Sequence, residues 1–267
     1  MSLESWRPAP LLQASVLLHG AALGAGLWQP GWWPWLASGV LANHLAVAGA
    51  GLWPRSQLLG SNWTRLPEAA AARGGFAITI DDGPDPQVTP RVLDLLDQLG
   101  ARASFFCIGR RAEASPALCR EIVARGHSVE NHGHAHSNAF SVFGPGAQRR
   151  DVARAQAVLS DLTGQAPRFF RPTAGLRNAF LDPVLHGLGL QHACWTRRGF
   201  DTRSGDAATV QRRLLRGLAA GDILLLHDGH AARTPEGQPV LLQVLPAVVA
   251  EARRLGLQDL TLPQSLS

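Results

Sequence analysis

Two adjacent carboxylates, Asp81 and Asp82, follow the apolar run Phe76–Ile80 and are closed off by Gly83-Pro84. Like charges placed that close raise each other's pKa unless a cation or a proton comes between them. A metal ion held by one carboxylate, with the other left free as a base, removes that cost. An Asp-Gly surface turn is the plainer alternative. Three imidazoles, His132, His134 and His136, fall within five residues at the end of another predicted strand. His132 and His136, four apart, can reach one ion if the loop turns helically after its strand. With Asp82 they make a two-His, one-carboxylate set with open positions, as expected of a catalytic divalent ion, Zn²⁺ foremost, with Co, Mn or Ni as alternatives. Asp81 is then placed to take a proton from an attacking water, and His227 to protonate a leaving nitrogen. Backbone N–H groups after Arg171 are placed to hold a developing oxyanion. A polar surface turn is the plain alternative for the His-rich loop, and a simple strand end for His227. His134 is read as facing away from the ion, and Asp228 and His230 as loop residues.

These positions share one structural context. After Gly74-Gly75 the apolar pattern becomes strand-sized runs separated by amphipathic, helix-sized ones. Strands are predicted at 76–80, 103–108, 128–131, 169–171, 192–196, 223–227 and 257–262, and helices at 89–99, 112–125, 146–162, 178–188, 207–218 and 239–255. Such alternation predicts an α/β fold with a parallel sheet and helices outside it. Seven strands without a dinucleotide-type glycine turn favour a barrel, in which catalytic groups gather at the C-terminal strand ends. Asp81, Asp82, His132, Arg171 and His227 all fall at such ends.

The first 60 residues have a different character. Seven of the eight Trp residues lie within the first 63 positions, around two uncharged stretches, Pro10 to Leu27 and Leu36 to Leu52. Each has about the length that crosses a bilayer core of roughly 30 Å. The turn Trp28-Gln29-Pro30-Gly31-Trp32-Trp33-Pro34-Trp35 between them, with Trp6 and Trp53 at the opposite ends, has the spacing of an aromatic belt. A membrane-spanning helical hairpin over 1–60 is expected, then a linker over 61–74 and a catalytic domain over 75–267. His19, His44, Gln13 and Asn43 weaken the hydropathy, so a signal peptide and a hairpin lying on a surface stay open. Arg7 before the hairpin and Arg55 and Arg65 after it place both ends on the cytoplasmic side of a bacterial inner membrane.

All 25 basic residues are Arg, and the formal net charge is +5. They are scattered without a basic stripe interleaved with aromatics, which argues against nucleic-acid binding. Cys107, Cys119 and Cys194 are odd in number and sit in apolar patterns, so they read as buried thiols.

The runs Thr79-Ile80-Asp81-Asp82-Gly83-Pro84, Ala103-Ser104-Phe105-Phe106, Gly126-His127, Asn131-His132 with His136, Phe170-Arg171-Pro172 and Leu226-His227-Asp228 closely resemble the polysaccharide deacetylase (NodB-homology) family over roughly residues 74 to 262. The resemblance implies a distorted (β/α) barrel of about seven strands and metal-dependent removal of an N-acetyl or related acyl group from a sugar. It implies Asp81 as base, Asp82, His132 and His136 as metal ligands, and His227 as acid. It also implies Arg171 in the site wall and Ala174 as an oxyanion backbone donor. Three departures matter. Gly133 replaces a loop-bracing Ser or Thr. Arg171-Pro172-Thr173-Ala174 lacks the family's aromatic residue, and the chain has no Tyr. Arg198 and Thr202 replace an acid and a Trp around Asp201, which can still orient His227.

Three readings follow. The first is a membrane-anchored sugar N-deacylase acting on a lipid-linked or nucleotide-linked amino sugar, with Arg198 engaging a phosphate and the hairpin engaging membrane lipid. The second is a catalytically degenerate relative that binds a glycan or a membrane partner. The third is another barrel metallohydrolase, in which His132 and His134 form the metal pair.

Overall fold

The computed structural model describes residues 6–267; the first five positions of the expected 1–60 hairpin lie outside the described residues. The N-terminal pair is α1 (Pro10–Trp28) and α2 (Trp33–Leu52), joined by a 3-10 turn at Pro30–Trp32. A short α3 (Glu68–Ala72) precedes the strands β1 (Gly75–Gly83), β2 (Ser104–Cys107), β3 (Ser128–Asn131), β4 (Phe169–Phe170), β5 (Gln191–His192), β6 (Arg197–Arg198), β7 (Ile223–His227) and β8 (Gln258–Asp259). Interleaved with them are α4 (Thr89–Leu99), α5 (Gly109–Ala114), α6 (Pro116–Ala124), α7 (Pro145–Thr163), α8 (Leu181–His186), α9 (Ala207–Leu215) and α10 (Leu241–Arg254).

The sheet order is β5-β4-β3-β2-β1-β7-β6, with β8 beside the start of β1, and every pairing is parallel. Strands β1, β2, β3 and β7 are buried along their whole length, as a parallel sheet covered on both faces requires. Helices close the outer face through apolar stripes. On α10, for example, Leu241, Val244, Leu245, Val248, Val249 and Ala252 recur at three- and four-residue intervals and are all buried.

The seven strands curl into a distorted barrel left open between β5 and β6. The segment before α3 lies along that opening. Trp63 bridges Ala193, Arg65 bridges Asp222, and the Thr196 hydroxyl donates to the Thr64 carbonyl. Arg65 and Arg197 share the buried Asp222 carboxylate, at 2.7 and 2.5 Å.

Several boundaries differ from the periodicity. The helix predicted over 112–125 is two helices broken at Ser115-Pro116, because Pro116 has no N–H and takes a first-turn position in α6. The strand predicted over 192–196 ends at His192, and a separate pairing with β7 begins at Arg197. The strand predicted over 257–262 contributes only Gln258–Asp259. The helix predicted over 178–188 forms only from Leu181 to His186.

Both α1 and the span Pro30–Leu52 are long and apolar enough to cross a membrane. Leu17, Leu23, Leu27, Leu41 and Leu45 are exposed around them. The polar residues that weaken the hydropathy meet across the hairpin. His19 Nε2 lies 3.2 Å from His44 Nε2, and Asn43 Nδ2 donates to Ser15 Oγ at 2.7 Å. Such pairing satisfies groups that lipid cannot.

The foot of the hairpin is tied to the barrel. Trp6 Nε1 donates to Asp182 at 2.7 Å, and the Arg177 N–H donates to the Gly51 carbonyl at 3.0 Å. A Cβ at Gly51 would run into that Arg177 carbonyl, so the approach needs glycine. The buried Arg177 guanidinium donates to the carbonyls of Ser56 at 2.7 Å and Gly60 at 3.1 Å. Arg177→Ala strands those carbonyls. We expect a loss of about 2–4 kcal/mol in denaturant unfolding of the detergent-solubilised chain, whereas Arg120→Ala on exposed α6 costs under ~0.5 kcal/mol.

Candidate active site

In a regular strand, neighbouring residues point to opposite faces, so Asp81 and Asp82 could not both serve one site. β1 breaks that rule at its end. Its register with β2 shifts between Asp81 and Gly83, and Asp82 has φ 74°, a left-handed conformation rarely adopted outside glycine, asparagine and aspartate. Both carboxylates thereby reach the barrel mouth, where they line a pocket of about 180 Å³ with His132, His136, Ala174, Trp195, Arg198 and His227.

Asp82 is the centre of this cluster. His136 Nε2 lies 2.9 Å and His132 Nε2 3.3 Å from Asp82 Oδ1, and His230 Nδ1 lies 2.9 Å from Oδ2. Burial would raise the Asp82 carboxyl, but the three imidazoles gathered around it outweigh that and hold the group far below the usual carboxylate range. His132 Nδ1 lies 2.7 Å from the Arg171 carbonyl, an acceptor that fixes the N–H there and aims the Nε2 lone pair at the cluster. Burial pushes the His132 pKa down, and Asp81 and Asp82 more than reverse it.

These residues suit a cation. One donor atom from each of Asp82, His132 and His136 lies within 4.8 Å of the others. Ligands at about 2.1 Å around one Zn²⁺ would stand roughly 3.0–3.4 Å apart, close to the separations above. Asp82 Oδ1 is buried with no well-aligned hydrogen-bond donor, although two imidazole nitrogens converge on it. That is the geometry of lone pairs pointing at a shared centre.

The loop carrying the imidazoles is a bend, not the helical turn first expected, and His136 has φ 49°. Asp151 on α7 braces it by accepting the N–H groups of His134 at 3.0 Å and Ala135 at 2.9 Å. Gly133 has φ 75°, and a Cβ there would press on that same Asp151 carboxylate. A glycine thus makes room for a brace from another helix, where the family resemblance led us to expect a hydroxyl in the loop. His134 is buried, with Nε2 3.6 Å from Glu113 and away from the Asp82 cluster, so it does not form a metal pair with His132.

Arg171 is fully buried and does not line the pocket. Its guanidinium donates to Asp81 Oδ1 at 2.6 Å, Thr79 Oγ1 at 2.9 Å and the carbonyls of Ala193 at 2.9 Å and Cys194 at 2.6 Å. Its face lies 3.9 Å from the Phe106 ring centroid. One Asp81 oxygen is therefore occupied and the other turned to the mouth, 3.8 Å from His132 Nε2. Asp201, fully buried, lies 2.9 Å from His227 Nδ1 and accepts the His227 backbone N–H at 2.7 Å. Burial pulls the His227 pKa down, and Asp201 overcomes it, leaving the imidazole above its ordinary value. Ala174 has φ 56° in a tight turn on the pocket wall.

Three neighbours carry more than their sequence contexts suggested. His230 reaches Asp82, and Arg111 donates to the Asp82 carbonyl at 2.7 Å. Asp228 is buried, raised to about 7 by burial, and accepts from the Thr89 hydroxyl at the base of the Gly83-Pro84 turn.

Fold and site together define the class: a parallel α/β barrel with an acid–imidazole centre at its C-terminal mouth. Residues 70–193 match the family model described as polysaccharide deacetylase. The chain is 30% identical over 191 residues to a peptidoglycan-N-acetylglucosamine deacetylase of Bacillus cereus, covering 70% of this chain and 66%, just under two thirds, of that relative. It is 33% identical over 156 residues to a chitooligosaccharide deacetylase of Azorhizobium caulinodans, covering 57% of this chain and 72% of the other. In fold it is similar to a CE4 family pseudoenzyme from Bacillus anthracis, with TM-score 0.65 and 20% identity over 73% of this chain and 66% of that one. The chain belongs to the polysaccharide deacetylase family.

If the Asp82 cluster is a metal centre, protein purified without chelator should carry about one divalent ion per chain by elemental analysis. His132→Ala/His136→Ala should carry less than a tenth of that with unchanged far-UV circular dichroism. Equal metal content in both proteins would remove the assignment.

Proposed function

We propose that the protein is a membrane-anchored, metal-dependent hydrolase that removes an N-acetyl or related acyl group from an amino sugar. The observation that carries the reading is the joint presence at one mouth of a three-ligand cluster, a spare carboxylate and an acid-oriented imidazole. Asp82, His132 and His136 would hold the cation, which when bound would polarise the acyl carbonyl and acidify a water. Zn²⁺ suits two imidazoles and a carboxylate, as do Co²⁺, Mn²⁺ and Ni²⁺.

The chain's own groups account for the proton movements. Asp81, with one oxygen fixed by Arg171, accepts the proton of the water attacking the acyl carbon. The Ala174 N–H donates to the carbonyl oxygen as charge develops on it. His227, kept protonated by Asp201, passes its proton to the amide nitrogen as the C–N bond breaks, releasing the carboxylic acid and a free amino sugar. Arg171 and Asp201 act by positioning, the first on Asp81 and the second on His227.

The hairpin supports attachment to lipid. Its foot ends beside the site: Gly175, on the pocket wall, packs against Pro54 just after α2. The amino sugar is then one displayed at a membrane surface, with Arg55 and Arg65 favouring the cytoplasmic side.

Two measurements test the reaction. Asp81→Asn should lower acetate release from N-acetylated oligosaccharides by about 10²–10⁴-fold while leaving bound metal in place. Turnover of the same size in wild type and variant would remove Asp81 as the base, and metal-loaded wild type without turnover on any N-acyl sugar would leave a glycan-binding relative. The pH profile tests the acid. Because Asp201 raises the His227 pKa, activity should fall as pH rises through that value. Asp201→Asn should move the alkaline limb of kcat/KM down by roughly one unit or more. An unmoved limb would exclude His227 as the acid.

A further inference from the structure

A second cleft lies directly beside the active-site pocket, on the outer side of Arg198. It has a volume of about 590 Å³ and is lined by Arg197, Arg198, Thr209, Arg212, Arg213 and Arg216. Arg198 lines both cavities, so the cleft adjoins the catalytic mouth across one side chain. Arg197 and Arg198 come from β6, and the other four residues from α9 and the residue that follows it.

Five guanidiniums around one opening repel each other, and only Arg197 is compensated, by Asp222 at 2.5 Å. Arg198, Arg212, Arg213 and Arg216 have no carboxylate within 4 Å among the described residues. Complementing the carbonyl end of α9 could occupy a guanidinium or two, but Arg198 faces them from a strand and has no place in that role. Its Nε is buried without a hydrogen-bond partner. Its guanidinium lies over the rings of Trp195 at 5.3 Å and Phe200 at 5.0 Å, and the Arg213 guanidinium lies 5.4 Å from the Phe200 centroid. Arg213 donates once to the Gly199 carbonyl at 3.2 Å and Arg212 once to Thr209 Oγ1 at 2.7 Å, which leaves Arg198, fixed on aromatic faces, and the remaining N–H groups of its neighbours suited to phosphate oxygens.

We propose that this cleft binds a phosphate or pyrophosphate attached to the substrate's sugar, making the substrate a phosphoester-linked N-acylamino sugar instead of a neutral glycan. The inference rests on the deacylase reading for its sugar half. The phosphoester itself has two sources, a lipid carrier or a nucleotide.

Binding to the full chain in lipid nanodiscs, after chelation to prevent turnover, separates these elements. At 150 mM salt, N-acetylglucosamine 1-phosphate should bind at least tenfold more tightly than N-acetylglucosamine. Arg212→Ala/Arg216→Ala, both at exposed positions, should erase most of that margin, and Arg198→Met should do the same from β6. Arg120→Ala should leave it intact. Equal affinity for the two sugars, or a margin that survives both cleft variants, overturns the proposal. A polyprenyl-pyrophosphoryl sugar in the nanodisc that outbinds a nucleoside-diphosphate sugar assigns the phosphoester to a lipid carrier, and the reverse order assigns it to a nucleotide; each supports the cleft. A phosphate margin in a protein that releases no acetate upholds the cleft and removes the deacylase reading. Acetate release without a margin does the opposite.

Discussion

A guanidinium with no access to water is the constraint on which the barrel mouth depends. Arg171 is completely enclosed, and a buried charge without partners would cost several kcal/mol. Asp81, the Thr79 hydroxyl, two carbonyls beyond β5 and the Phe106 ring together answer it. These groups lie on β1, β2 and the segment after β5, and Arg171 directly follows β4, so satisfying one side chain fixes the relative heights of four parts of the sheet. The same pair leaves Asp81 with one oxygen engaged and one facing the mouth. A carboxylate at the mouth is thus held by the interaction that sets the register of the strands around it.

Asp82 shows a different solution one residue on. Asp81 is steadied by a permanent charge, whereas Asp82 faces three imidazoles. The chain therefore separates two adjacent, chemically identical groups by environment. The separation begins in the backbone, at the left-handed turn of Asp82.

Much of this was legible in the sequence because strand ends in parallel barrels are marked twice, by an apolar run and by the polar residue that terminates it. Asp81, Arg171 and His227 carry both marks, whereas the strand before His132 is Ser128-Val129-Glu130-Asn131 and carries only the second. The β1 irregularity does not: nothing in Ile80-Asp81-Asp82-Gly83 distinguishes a strand whose carboxylates diverge from one bent to bring them together. Asp151 was equally hidden, since its contact with the His134 loop comes from a helix 17 residues on. His230 sits in a glycine-flanked loop where composition suggests a turn, and only the closure of β7 against β1 brings it to Asp82. Arg198 stood out as an exchange of charge, but the Arg residues of α9 that join it looked like ordinary basic residues on an amphipathic helix. The helix break at Ser115-Pro116 is marked by the proline, but the apolar period runs across it and masks the break.

The opening between β5 and β6 has a practical consequence. Residues 63–65 fill it, trading backbone contacts with Ala193 and Asp222, while Arg177 grips the carbonyls of Ser56 and Gly60 just upstream. A soluble fragment begun at Gly74, where the strand pattern starts, would lack a stave and leave the Asp222 carboxylate short of one of its two arginines. An expression fragment meant to keep the barrel whole has to begin no later than Pro54, immediately where the second apolar helix ends.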